Sequence, residues 1–415
     1  MRVLIRRLWR PLVLLGTSFA SSALPAAEPP GTVLVLPLIQ QGELRSVDWI
    51  GESVSESIRE ALESYGVLTT DRRDREEATE RLGLTNLPKF TRASILKLGE
   101  SLDAGVVVAG RFAFTPTGPP LPGAPPGVNR DSKGTLHLFV QLVFPQQLRA
   151  SEELEELGPV EQLAALQNRL AWRVLEQIAP GRAGEKEDFL ASRPAIRLDA
   201  LEQYIRGLAA SKPEDQQRYW TQAARLDPRY FQPAFQLGML HFDRGEHQAA
   251  GDWFRKVPRN SSRFFEATFF LGITRYRLSD FVGAEKAFQT VAAEVPLNEV
   301  YNNLGLAQLR RGTIWVAIES LKKALAGDPS DPDYHFNLGY ALWKRGDFAA
   351  AGEQFRAILE RDAADATAGM MLSRCARREG PQRVKKEEGL ERLKTDYQER
   401  VYRQLKAVLE PDRKQ

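Results

Sequence analysis

The pair Leu-Gly returns at 237–238, 271–272, 304–305 and 338–339, and Leu372-Ser373 stands one step further along, so the second half of the chain repeats every 34 residues with one step of 33. A fixed period of this size constrains the fold more than any other feature. It announces a solenoid of supersecondary units, none of which buries its apolar faces without its neighbour. Other positions keep the same phase. A basic-Gly turn (Arg244-Gly245, Arg311-Gly312, Arg345-Gly346) precedes a small residue (Ala250, Ala284, Ala317, Ala351), and a large apolar residue follows four later (Phe254, Phe288, Leu321, Phe355). Prolines or acidic turns end the units, as at Pro296 and Pro329. Each unit thus reads as two antiparallel helices. Glycine after leucine lets the paired helix approach, the alanine does the same from the other side, and the large residue fills the gap.

These phased residues resemble the tetratricopeptide repeat. The resemblance implies an all-α repeat solenoid over residues 198–380, with a shortened first unit (Ala200 to Pro228) and a degenerate last one around the four phased units. Within 381–415, Leu390, Leu393, Tyr397, Val401, Leu405 and Val408 recur at helical spacing. They are expected to form a helix capping the open end of the stack, followed by a tail.

The first half reads differently. Residues 1–27 carry Arg2, Arg6, Arg7 and Arg10, an apolar run from Leu12 to Ala20, and Ser21-x-Ala23 as a cleavage signal. This is the pattern of a secretory signal peptide, and the apolar run falls well short of the ~20 residues a membrane span needs. The segment holds four arginines and no acid, so the net charge of +3 falls to −1 without it. Basic residues after Arg374 read as a solvated helix face rather than a nucleic-acid contact, and membrane association is peripheral at most. With Cys375 alone, no disulfide forms within the chain, and packing must carry the fold even in an oxidising compartment.

Residues 31–180 alternate strand and helix signals, giving an α+β chain: a small α/β domain, then the solenoid. VLVLP (33–37) and AGVVVAGRFAF (104–114) suit buried strands, GVLTT (66–70) suggests another, and TLHLFVQLVF (135–144) suits the return strand of a hairpin. Between the last two lies a Pro/Gly-rich stretch, 115–134, expected to be a mobile surface loop. Trp49, Ile50, Val54, Ile58, Ala61 and Leu62 place an apolar stripe on one helix, a second runs from about Val160 to Ile178, and 181–197 read as a linker. VLVLP, Gly51 to Ile58 leading into Leu62, and Leu102 to Gly110 resemble the amino-terminal domain of TolB and the FlgO-like domain of bacterial envelope proteins. That resemblance implies envelope assembly and protein contacts rather than catalysis.

Chemistry is sparse. His137, His241, His247 and His335 show no metal spacing with cysteines or acids, and neither phosphate-cradling glycine motifs nor a GxSxG elbow occurs. The serines of GESVSES belong to an amphipathic helix. Arg374, Arg377 and Arg378 could lower the pKa of Cys375, but a lone cysteine in a repeat helix is packing. No enzyme activity, metal or cofactor is expected.

The first helices of the repeats carry a second apolar face beside the packing face. It runs through Phe235, Met239 and Phe242, then Phe269, Ile273 and Tyr276, then Asn302, Leu306 and Leu309, and last Phe336, Tyr340 and Trp343. The tetratricopeptide resemblance implies that this face lines a concave groove, with Arg277, Arg310 and Lys344 beside it, as a docking surface for an extended or helical apolar segment of a protein partner. On this reading Tyr340 and Trp343 are accessible, and removing both weakens partner capture without lowering the melting temperature. The competing view puts these aromatics between neighbouring units or under the terminal helix. The expected function is an exported, non-catalytic scaffold of the envelope, periplasmic or secreted. The alternative is a small-ligand sensor in which the α/β domain binds and the repeats transmit.

Overall fold

The computed structural model describes residues 31–42, 47–84, 90–117, 133–193, 195–381, 389–399 and 402. The expected signal segment, most of the Pro/Gly loop (118–132) and Val401, Leu405 and Val408 lie outside these residues.

Among the described residues the first unit holds a six-stranded sheet. Strands β1 (Thr32–Val35) and β2 (Ile39–Gln40) pair in succession, both parallel, with one edge of β3 (Ala104–Pro116). On its other side β3 pairs antiparallel with β4 (Gly134–Phe144), from Val107 opposite Val143 to Pro116 opposite Gly134. Short β5 (Arg149–Ala150) and β6 (Leu154–Pro159) continue from β4, both antiparallel. Period-two alternation divides β3 between two cores. Val106, Val108 and Phe112 join Leu136, Leu138, Val140 and Leu142 of β4 under α1 (Trp49–Ser64) and α4 (Leu163–Ile178). Val107 and Ala109 face the other way, toward Ala78 of α2 (Arg72–Arg81) and Leu98 of α3 (Arg92–Ser101). Two of the GESVSES serines tie the two helices over the sheet, Ser53 donating to Gln167 of α4 at 3.0 Å and Ser57 to Asn168 at 3.4 Å.

Three local expectations change. Residues 66–70 make a single bridge, Thr69 opposite Val33, because the chain leaves α1 through a tight turn and enters α2 at Arg72. Strand β6 gave no strand signal, since its exposed alternate positions include Glu155 and Leu157 and the pattern is charged, as suits an edge. The stretch 181–197 contains α5 (Lys186–Ala191), whose Phe189 is buried against Tyr65 at 5.7 Å.

Phe189 is part of one apolar core that passes from the sheet into the first repeat, joining Val54 and Leu170 to Tyr204, Trp220 and Leu237. The repeats then follow as helix pairs: α6 (Leu198–Ala209) with α7 (Pro213–Leu226), α8 (Gln232–Asp243) with α9 (His247–Phe254), α10 (Phe264–Arg277) with α11 (Phe281–Ala292), α12 (Asn298–Arg310) with α13 (Ile314–Gly327), and α14 (Pro332–Arg345) with α15 (Phe348–Leu359). Helix α16 (Ala366–Ala376) packs on α15. The Leu-Gly period has the physical cause expected of it. A Cβ on Gly238, Gly272 or Gly305 would lie 2.5 Å from Phe254, 2.6 Å from Phe288 or 2.6 Å from Leu321, each the large residue of the same unit. Ala250, Ala284, Ala317 and Ala351 are fully buried on the opposite side of the crossing.

Candidate functional site

The stretch expected to be a capping helix departs from that expectation in its first part, and among the described residues helix begins only at Glu399, with the Tyr402 N–H donating to the Gln398 carbonyl at 3.1 Å. Residues 390–398 are extended and lie along the first helices α10, α12 and α14 and the start of α16. The face expected to bind a partner is thus occupied by the chain itself.

What holds the segment is a set of asparagine amides. Asn337 accepts from the Arg392 backbone N–H at 2.9 Å and donates to the Arg392 carbonyl at 2.8 Å. Asn303 does the same for Lys394, at 2.9 and 2.8 Å. A side-chain amide carries the donor and acceptor of a peptide group, and in an extended chain residues i and i+2 present their backbone groups to the same side. Two asparagines on adjacent helices thus act as a short surrogate strand. Asn302 fixes their orientation, accepting from Asn337 at 2.8 Å and donating to Asn303 and to the Arg392 carbonyl, both at 3.1 Å. All three asparagines are fully buried, and this network gives each a partner. Further along, the Gln398 N–H donates to Glu299 at 2.9 Å.

The side chains add charge and stacking. Arg392 lies over the Phe336 ring at 4.1 Å and reaches Asp365 at 2.6 Å and Asp333 at 3.3 Å. Lys394 sits 2.7 Å from both Asp331 and Asp333, beside the Tyr334 ring. Asp331 and Asp365 also cap α14 and α16, so the carboxylates that satisfy the helix starts serve the segment's cations as well. Glu391 faces Arg310 at 3.5 Å, and Tyr397 stacks on Phe269 with ring centres 4.8 Å apart.

The pKa shifts follow. Burial would raise the Asp365 carboxyl, but the Ala368 amide and Arg392 outweigh it and hold it below the usual Asp value. Burial would likewise depress Lys394, yet Asp331 and Asp333 raise it. For Glu299 burial wins over the Gln398 amide, and its carboxyl is pushed up.

Of the residues singled out from sequence, Phe269, Asn302, Arg310 and Phe336 touch the segment directly. Phe235, Ile273, Tyr276, Leu306, Tyr340 and Trp343 are buried in the repeat core, and Met239 and Phe242 pack against it. Phe336, Tyr340 and Trp343 do form a stack along α14, with centres 6.4 and 5.7 Å apart. The stack is covered, however, and the Trp343 indole N–H donates to the Glu379 carbonyl at 2.7 Å where the chain leaves α16. The view of Tyr340 and Trp343 as accessible is therefore corrected: both have no exposed surface. Nor is the groove basic. Arg277 is exposed and Lys344 lies over Tyr340, whereas the charges meeting the segment's cations are Asp331, Asp333 and Asp365. Asn303, Asn337, Glu299 and these three aspartates were missed. Elsewhere, burial pushes the Cys375 thiol up rather than down. Among the described residues no group of three His, Cys, Asp or Glu side chains could hold a metal ion.

Fold and groove together define a solenoid of paired helices that receives an extended segment along its first helices. The repeats are tetratricopeptide repeats: residues 208–264, 269–332 and 302–367 match that family's model. Among solved structures, MamA from Desulfovibrio magneticus RS-1 is 27% identical, with 39% of this chain and 92% of that one covered and a TM-score of 0.36. YrrB, described as a TPR protein with an unusual peptide-binding site, is 18% identical over 47% of this chain and 93% of its own, with a TM-score of 0.34. PilF of Pseudomonas aeruginosa is 18% identical over 43% and 83%, with a TM-score of 0.36. Comparison with the curated proteins finds no match.

Proposed function

We propose that this chain is an exported, non-catalytic scaffold of the bacterial envelope, whose tetratricopeptide groove binds an extended segment of a partner protein. The observation that carries the reading is the pairing of Asn303 and Asn337 with the backbone of Lys394 and Arg392. Such pairing recognises chain direction and extended conformation, the requirement for binding peptide segments as a class. Export to the periplasm or beyond, by a signal peptide within residues 1–27, and a TolB- or FlgO-like role for the α/β unit are parts of the same proposal. The test is affinity purification with the natural chain and with Asn303→Ala/Asn337→Ala. Envelope proteins retained by the first and lost by the second support the proposal, and identical retained sets overturn it. Export is read separately, by fusing residues 1–30 to a reporter active only outside the cytoplasm.

A second reading rests on a different feature. A cavity of about 530 Å³ opens between α3 and the sheet, lined by Phe90, Ile95, Leu96, Val143 and Leu148 with Arg111 and Glu153 at its polar side. Its size suits a small ligand, and this supports the sensor alternative. The core shared with the first repeat makes the whole chain the proper sample for a thermal-shift panel of metabolites.

A further inference from the structure

Resting on the groove reading above, we infer that the segment Glu391–Gln398 is a built-in competitor, and that the partner it excludes presents an extended segment with cationic residues at alternate positions and an aromatic residue three further on. The inference starts from what the groove reads. On the segment, Asn303 and Asn337 hydrogen-bond to backbone groups, so they set its conformation and register without selecting side chains. Selection falls to the surroundings of the two registered positions. At the first, Arg392 meets Asp365 and Asp333 and lies over the Phe336 ring. At the second, Lys394 meets Asp331 and Asp333 beside Tyr334. Each register position thus offers two carboxylates and an aromatic face, the surroundings that a guanidinium or ammonium group satisfies and a neutral side chain leaves incomplete. Three residues beyond Lys394, Phe269 offers a stacking surface that Tyr397 fills.

Occupation by the chain's own segment has a quantitative consequence. A tethered segment acts at an effective concentration on the order of millimolar, so a partner of similar intrinsic affinity must be present at a comparable level or bind several-fold better to displace it. The groove is therefore closed to weak basic peptides and open to a partner that uses more of the first-helix face than residues 391–398 do.

The experiment uses the full chain and a fluorescent peptide of residues 389–399 added in trans. Wild-type chain is compared with Arg392→Glu/Lys394→Glu chain, whose own segment is repelled from the aspartates while the groove remains intact. Far-UV circular dichroism confirms that the helices persist. The expected result is binding to the variant at least tenfold tighter than to wild type, with a charge-reversed peptide failing to bind either. Equal binding of the native peptide to both chains overturns self-competition. Equal binding of native, Arg392→Gln/Lys394→Gln and charge-reversed peptides to the variant overturns the cationic class while leaving the groove reading standing. If no peptide binds the variant, the groove reading itself falls. Sedimentation of wild-type chain at twice the monomer mass, lost on charge reversal, assigns the segment to a second copy and overturns the inference.

Discussion

Alanine at Asn337 removes the two bonds that hold Arg392, at 2.8 and 2.9 Å, and the 2.8 Å bond to Asn302. A net value of ~1 kcal/mol per hydrogen bond gives a loss of about 2 kcal/mol from docking of the segment. At 1.4 kcal/mol per tenfold, the segment opens roughly 30 times more often. The helix gains rather than loses, since Ala is the better helix former by about 0.6 kcal/mol, so α14 itself is spared. The assay is amide hydrogen exchange. The Arg392 and Lys394 amides, protected only through Asn337 and Asn303, should lose protection by about that factor, while Leu306 within α12 keeps its own. Asn303→Ala/Asn337→Ala should remove protection at both positions. Unchanged exchange at Arg392 would refute the claim that asparagine amides hold the segment. Loss of protection in α12 and α14 together with it would show that the segment is a structural part of the array rather than a ligand of it.

Gly272→Ala places a methyl 2.6 Å from Phe288 and should destabilise by about 1–3 kcal/mol through overpacking, whereas Gly369→Ala, with open space around it, should raise the melting temperature slightly. Tyr340→Ala/Trp343→Ala empties a fully buried stack and should cost about 3–5 kcal/mol per residue, so thermal melting should collapse; a melt unchanged from wild type would restore the view of an accessible face. Docking of the segment should also follow pH. Asp365 lies below its ordinary 3.8, so its contribution is full above that value and fades as pH falls through the lower folded pKa. Lys394 lies above 10.5, so its contribution is full below that value and fades as pH rises through the folded pKa. Glu299, raised above 4.5 by burial although the Gln398 amide acts to lower it, affects the stability of the fold with the opposite sign: its contribution is full below 4.5 and is lost as pH rises through its folded value. Exchange at Arg392 measured across pH, after correction for intrinsic rates, reads the Asp365 and Lys394 effects, and thermal melting across pH reads that of Glu299.

Much of the fold was legible because packing forced it into the sequence. A Cβ at the repeat glycines would strike the Phe or Leu sixteen residues on, so the close crossing of each helix pair leaves a fixed mark on the chain at a constant interval. The β3–β4 pair was legible for the same reason, since strands with one fully buried face cannot hide their alternation. Edge strand β6 and helix α5 left weaker marks. β6 pairs on one side only and tolerates charge, and α5 is six residues long and buries chiefly Phe189.

The groove was legible in outline and misread in content, and the reason lies in how the two kinds of signal are written. Aromatics on a repeat face are needed both by stacking and by binding, so Phe336, Tyr340 and Trp343 could not discriminate between the two, and stacking took them. Asparagine is different. It is a weak helix former whose amide competes with the backbone, and inside a helix it needs a reason. Asn303-Leu304-Gly305 and Asn337-Leu338-Gly339 put it at the same phase of two successive units, 34 residues apart, where other units carry Gln236 or Phe270. Stacking has no use for a buried amide there, so the residue least explained by the repeat was the best pointer to what the repeat holds. The helical spacing of Leu390, Leu393 and Tyr397 misled for a related reason. A spacing of three and four residues marks a helix only when one apolar surface receives it. Here the Asn303 and Asn337 amides supply the hydrogen bonds a helix would have made internally, so the same residues settle into an extended chain that spreads them along three helices.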